Sequence, residues 1–121
     1  VELAAVDYDS LKSRAKAESS AEIRVRVERA RRIQEERFRG TSTRFNGDIE
    51  VSAMERYCGL GEEQQRCMER LYGSLQLSAR AYHRILRVAR TIADLEGAEE
   101  IGTAHLMEAS YYRPSMEYWG N

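Results

Sequence analysis

The sequence predicts an all-α domain, a helical bundle of about five helices, and three observations support this prediction. Between residues 77 and 95, apolar side chains recur at spacings of four and three residues, as on the buried face of a helix. Pro114 is the one proline, and the eight glycines stand singly between periodic segments. With 121 residues, the chain has the length of one domain. A sandwich of short strands would need more turn residues than this.

The central helix is predicted over the most periodic segment. Ser78 is a favourable N-cap, because its hydroxyl can accept a hydrogen bond from a first-turn N–H, and Gly97 stands where a helix usually ends. The apolar residues expected on its buried face are Ala81, Ile85, Val88, Ile92 and Leu95, with Tyr82 and Ala89 widening it. Arg80, Arg84 and Arg87 are also four and three residues apart, so we expect three guanidinium groups along one exposed ridge.

The N-terminal part is predicted to change structure near residue 19. Residues 1–18 are expected to be an extended segment or linker, and Ser19 and Glu22 have the spacing of a capping box that begins a helix. This helix is predicted to run to about Arg39, with Gly40 ending it. The residues expected on its buried face are Ile23, Val27, Ala30 and Ile33.

Three shorter helices complete the predicted bundle, which spans residues 19–113 and is followed by a C-terminal tail over residues 114–121. Asn46 and Gly47 predict a turn. The helices are expected over residues 49–57, 62–72 and 104–112, the second ended by Gly73 and the third capped by Thr103.

The charge balance argues against a protein that binds nucleic acid through its overall charge. The formal net charge is −1 and the isoelectric point is near 6.2, so only local basic patches remain. An arginine-rich DNA-binding domain and a stand-alone helical interaction module are therefore the alternatives that composition leaves open, beside a plain solvated surface. The candidates for contact with DNA or a partner are Arg24, Arg31, Arg32, Arg87 and Arg90, with Arg84 beside them.

No catalytic or metal-binding motif is recognisable. The phosphate-binding GxxxxGK[ST] loop, GxGxxG and HExxH are absent, and His83 and His105 are too few for a zinc site. Cys58 and Cys67 fit neither a metal spacing nor a disulfide framework, so we expect a reduced, cytoplasmic protein. No apolar run is long enough to cross a bilayer, and we expect no membrane association.

Arg80 is the residue whose position suggests a specific chemistry. It falls in the first turn after the predicted cap, where a guanidinium can extend beyond the domain. The planar fork of arginine binds phosphate oxygens in a bidentate manner and keeps its charge at physiological pH. From the pattern alone, Arg80 and its ridge are either a solvated surface with ion pairs to glutamates or a site that meets a phosphate group.

The chain resembles the C-terminal domain of the magnesium-chelatase-like AAA+ ATPases, in particular the bacterial ComM/YifB-type competence proteins. The similarity extends over essentially the whole chain and is most specific in the central helix. The segments that carry it are Ser19–Arg24, Arg29–Gln34, Arg37-Phe38, Arg44-Phe45-Asn46 and Leu77–Leu95.

The resemblance implies a helical lid that follows a nucleotide-binding core in the same polypeptide. Ser78-Ala79-Arg80 matches the lead to the sensor 2 arginine of related lids, so Arg80 is the first candidate and Arg84 the second. ATP and Mg²⁺ would be bound mainly by the core, and none by this chain alone, which would have no catalytic residue or metal ligand. The family also implies a homo-hexameric ring, with sensor 2 acting in its own subunit or on a neighbour, and a motor that acts on DNA in competence and recombination.

Overall fold

The computed structural model describes the backbone of residues 2–112 and the side chains of residues 20–112. Within these residues every regular element is helical, which confirms the predicted all-α bundle of about five helices. The α-helices are α1 Glu2–Arg37, α2 Met54–Cys58, α3 Glu62–Ser74, α4 Ala79–Glu96 and α5 Thr103–Tyr111. Short 3₁₀ turns lie at Asn46–Asp48 and Val51–Ala53.

Helix α4 is the centre of the bundle and packs against α1, α2, α5 and the 46–48 turn. Both of its predicted ends are confirmed. The Ser78 hydroxyl accepts a hydrogen bond from the Ala81 N–H at 3.1 Å, and Gly97 ends the helix in the left-handed conformation at φ +78°. The Arg29 side chain also donates to the Leu95 carbonyl, at 2.8 Å, and so satisfies one of the last free carbonyls of the helix.

The buried face of α4 is rotated from the predicted one. Of the predicted set, Ile85 and Ala89 are buried, whereas Ala81, Tyr82, Val88, Ile92 and Leu95 are half-buried. The fully buried positions of the helix are Ile85, Leu86, Ala89, Arg90, Ala93 and Asp94. The prediction missed the Arg90 and Asp94 side of this face because both residues carry charges, which apolar periodicity does not count.

The N-terminal segment differs from the extended segment predicted over residues 1–18. Helix α1 begins at Glu2, so Ser19 lies inside it and the predicted capping box is not a helix start. Residues 2–18 contain no glycine or proline and many Ala, Leu, Glu and Lys residues, which favour a helical backbone. The predicted tail over residues 114–121 lies outside the described residues.

The predicted buried face of α1 is covered over only part of its length. Ala30 is buried and Ile33 half-buried, but Ile23 and Val27 are 48% and 41% exposed. The side chains of residues 20–29 are all exposed, and the part of the helix before Arg29, which bonds to α4, extends beyond the bundle. The apolar face of α1 therefore continues past the helices that pack against it.

Three local predictions were inaccurate. The helix predicted over residues 49–57 is divided into the Val51–Ala53 turn and α2, and α3 continues through Gly73 to Ser74. Thr103 is the first residue of α5 rather than its cap, and its hydroxyl accepts a hydrogen bond from the Gln64 side chain. The His105 ring caps this helix instead, because its Nδ1 accepts the Gly102 N–H at 2.8 Å.

A buried carboxylate joins α4 to its neighbours. Asp94 has no solvent exposure, and the Arg37 guanidinium donates to both of its oxygens, at 2.7 and 2.8 Å. Asn46 Nδ2 donates to the same carboxylate at 2.8 Å, and Arg90 Nη2 lies 3.3 Å from Oδ1. We call Arg37, Asn46, Arg90 and Asp94 the Asp94 cluster. Its donors satisfy a charge that would otherwise be costly to bury.

The Asp94 cluster connects four parts of the chain. The Asn46 amide also donates to the Thr91 hydroxyl at 3.1 Å, and its backbone N–H donates to Gln34 Oε1 on α1 at 2.8 Å. Arg90 donates to the Ala98 and Glu99 carbonyls, which precede α5. Helix α1, the 46–48 turn, α4 and the connection to α5 are therefore held in one relative arrangement.

Replacement of Asp94 should destabilise the domain strongly. In Asp94→Ala, the guanidinium groups of Arg37 and Arg90 lose their counter-charge while they stay largely buried, so we expect the free energy of unfolding to fall by about 3–5 kcal/mol. Urea unfolding followed by circular dichroism measures the change. Glu36→Ala is the control, because it removes an exposed ion pair with Arg39 and should cost less than about 1 kcal/mol. Equal losses in the two variants would contradict this assignment.

Candidate functional site

Three arginines of α4 line one shallow groove. Arg80, Arg84 and Arg87 surround a volume of about 450 Å³, together with Val88, Thr91 and Gly47 of the neighbouring turn. Their spacing of four and three residues places them on one face of the helix, as predicted. We call this surface the arginine groove. It brings three positive charges to one edge of the bundle.

The three guanidinium groups differ in their partners. Arg87 Nε donates to the Ile49 carbonyl at 2.9 Å, which anchors that side chain against the segment after the 46–48 turn. Within the described residues, Arg80 and Arg84 have neither an ion pair nor a side-chain hydrogen bond, and Arg80 is exposed whereas Arg84 is half-buried. Neighbouring like charges on a helix repel one another, so an anion in the groove would be stabilised there.

The wall of the arginine groove depends on the Asp94 cluster. Gly47 follows directly after Asn46, whose side chain and backbone are fixed by Asp94, Thr91 and Gln34. The sequence predicted a turn at Asn46 and Gly47 and gave Asp94 no role beyond its place in the resembling central segment. Asp94 follows Arg90 by four residues on a helix, which is the spacing of an i,i+4 ion pair. This spacing was the signal in the sequence that could have identified Asp94.

The five arginines proposed for DNA or partner contact do not form one surface. Arg24, Arg31 and Arg32 are exposed on α1, and Arg87 lies in the arginine groove. Arg90 is only 5% exposed and its guanidinium bonds to Asp94 and two backbone carbonyls, so it is not available to an outside partner. Its role is to hold the domain together.

Burial makes Cys58 a poor nucleophile. The thiol is 2% exposed, and burial raises its pKa to about 11, although the guanidinium groups of Arg90, Arg37 and Arg87 act in the opposite direction. Burial likewise lowers the pKa of Arg90, and the Asp94 carboxylate partly counteracts this. Because the thiolate is the reactive form, Cys58 is not suited to covalent catalysis near neutral pH.

The two histidines are not arranged as metal ligands. His105 Nε2 lies 2.9 Å from a Glu96 oxygen while its Nδ1 caps α5, and the ring of His83 packs edge-on against Tyr82. Over residues 20–112, no three His, Cys, Asp or Glu side chains are grouped as a metal site would require. None of the described helices is long and apolar enough to span a membrane.

The fold and the arginine groove define a small helical domain with a cationic edge built on its central helix. The family model for the C-terminal domain of magnesium chelatase subunit ChlI matches residues 17–113, and the chain belongs to this family. It is a ComM/YifB-type domain of that family. It is 42% identical over 98 residues to the competence protein ComM of Haemophilus influenzae, with 81% of this chain and 18% of the relative covered.

Two further relatives have the same relation to the chain. The YifB protein of Salmonella typhimurium is 41% identical over 98 residues, which cover 81% of this chain and 19% of the relative. The YifB protein of Escherichia coli is 38% identical over 96 residues, which cover 79% of this chain and 18% of the relative. The chain thus spans about a fifth of the length of the curated relatives it matches.

The Cys58 thiol should make stability depend on alkaline pH. Its pKa is raised in the folded state, so folding favours the neutral thiol. The contribution of this thiol to the free energy of unfolding is complete below pH 9 and is lost as pH rises towards 11. Two pKa units correspond to a fall of at most about 3 kcal/mol in the free energy of unfolding. Urea unfolding at several pH values measures it. Cys58→Ala should flatten this dependence, whereas Cys67→Ala should retain it, and identical profiles for both variants would contradict the prediction.

Proposed function

We propose that this domain is the helical lid of an AAA+ ATPase and that Arg80 is its sensor 2 residue. In this proposal, Arg80 contacts the γ-phosphate of ATP that a core domain of the same polypeptide binds with Mg²⁺. The observation that supports it most is the exposed guanidinium of Arg80, which has no ion-pair partner among residues 20–112, at the start of α4 in a groove with two further arginines. Membership of the magnesium chelatase family supports the same role.

Arg80 is preferred over Arg84 because its side chain is more exposed and because it lies nearer the positive end of the helix dipole. It lies in the first turn of α4, where the helix dipole adds positive potential, and its side chain is exposed. Arg84 is one turn further along the groove and half-buried, so it is the second candidate. Arg87 is anchored to the Ile49 carbonyl and serves better to shape the groove.

The proposed mechanism is a change of lid position with the state of the nucleotide. Arg80 favours the lid position in which its guanidinium meets the γ-phosphate, and hydrolysis removes that contact. The lid then moves as one body, because the Asp94 cluster fixes α1 relative to α4. Helix α1 is 36 residues long and would carry the motion along its length.

The assembly around this lid belongs to the same proposal. The lid would contact its own core domain and neighbouring subunits of a homo-hexameric ring in the cytoplasm, with Arg80 acting on the nucleotide of its own or an adjacent subunit. The whole protein would be a DNA-directed motor in competence and recombination. The word competence in the name of the Haemophilus influenzae relative supports the competence part of this proposal.

Loss of Arg80 should impair ATP turnover in the full-length protein that contains this domain. We expect Arg80→Ala to lower kcat about a hundredfold, since removal of a single charge-stabilising donor has effects of this size. A smaller loss is expected for Arg84→Ala. Phosphate release under saturating ATP measures turnover, and sedimentation shows whether assembly is retained.

Arg70→Ala is the matched control, because Arg70 is exposed on α3 and lines neither the arginine groove nor any groove beside α1. It should leave turnover unchanged. Unaltered turnover in Arg80→Ala would contradict the assignment of sensor 2 to this residue, and a loss confined to Arg84→Ala would transfer the role to Arg84.

A further inference from the structure

Phe45 is an aromatic side chain that the turn at Asn46 leaves at the surface. It is 55% exposed, although the adjacent Asn46 is among the most deeply buried residues of the domain. The other phenylalanine, Phe38, is buried and packs edge-on against Tyr57 with ring centroids 5.0 Å apart. Single exposed apolar side chains are common on protein surfaces, so the groups that surround the Phe45 ring decide what it can bind.

The backbone forces Phe45 outward. Phe45 has φ −135° and ψ 158°, an extended conformation in which successive side chains point to opposite sides. Because Asn46 must point inward to reach Asp94, the Phe45 ring faces solvent. Upstream, the Thr41 hydroxyl accepts the Thr43 N–H and donates to the Phe38 carbonyl, so both flanks of the ring are fixed.

The ring borders a groove that also carries arginines. The groove has a volume of about 360 Å³ and is lined by Arg31, Gln34, Glu35, Phe38, Thr43, Arg44 and Phe45. We call it the Phe45 groove. Arg31 and Arg44 are exposed, and within the described residues neither has an ion pair or a side-chain hydrogen bond. Glu35 is the one acidic residue among the lining groups.

We propose that the Phe45 groove binds single-stranded nucleic acid. One base stacks on the Phe45 ring, and the guanidinium groups of Arg31 and Arg44 bind the phosphates on either side of it. The Glu35 carboxylate repels phosphate, which directs the backbone towards the arginines. The inference rests on the DNA-directed part of the proposed function and adds the strand state and the contacting residues.

The geometry favours a single strand over a duplex. Stacking on a side chain needs a free base face, and paired bases in a duplex stack on each other instead. The groove presents a ring beside cations but no set of polar groups aimed at one base edge, so the expected binding tolerates sequence. Hydrogen bonds hold the backbone on both sides of Phe45, so the segment loses little backbone entropy on binding.

Fluorescence anisotropy with a labelled oligothymidylate tests the proposal on this chain at low salt and without ATP. The chain should bind the single strand more tightly than a duplex of equal length. Phe45→Ala should weaken binding about tenfold, and Phe45→Trp should retain it. Arg44→Ala should weaken binding and reduce the slope of log affinity against log salt by about 0.7.

Val51→Ala and Arg70→Ala are matched controls for the loss of an exposed apolar side chain and of an exposed arginine, and both should bind as the unaltered chain does. Circular dichroism confirms that each variant is folded. Equal affinity of Phe45→Ala and the unaltered chain, or absence of single-strand binding, would overturn the proposal. If the chain binds only the duplex, this inference fails while the DNA-directed function stands. No outcome of this assay tests the role of Arg80, because the assay contains no ATP.

Discussion

The bidentate contact between Arg37 and Asp94 is the interaction on which the rest of the structure depends. Asp94 is fully buried, so its charge is tolerable only because Arg37, Asn46 and Arg90 together surround it with donors. In other proteins, a variant in which apolar residues replace a buried ionic cluster can be as stable as the original. The contribution of the Asp94 cluster therefore lies in the geometry that it imposes. The directions of these hydrogen bonds fix α1, the 46–48 turn and α4 relative to one another.

Both proposed binding surfaces follow from that geometry. Asn46 points inward to Asp94, which turns Phe45 outward on one side of the turn and places Gly47 beside Arg80 and Arg84 on the other. The bond from Arg87 to the Ile49 carbonyl links the turn to α4 a second time. A phosphate contact at the arginine groove and a strand at the Phe45 groove would therefore act on the same short turn.

The sequence predicted the parts of the fold that local chemistry determines. The extent of α4 follows from the Ser78 cap and from Gly97, and the arginine groove follows from the spacing of its three arginines. The rotation of the buried face could not be predicted from apolar periodicity, because Arg90 and Asp94 are polar in sequence and become buried only as a pair. Ile23 and Val27 were misassigned because periodicity identifies an apolar face but does not show what covers it.

A double-mutant cycle between Arg37 and Asp94 tests the central claim most directly. Urea unfolding would compare Arg37→Met, Asp94→Leu and the double variant with the unaltered chain. If the two side chains act as one unit, the double variant loses much less stability than the sum of the single losses, with a coupling free energy of about 2 kcal/mol or more. Losses that add to within about 0.5 kcal/mol would show that the two residues act independently, and would contradict the account.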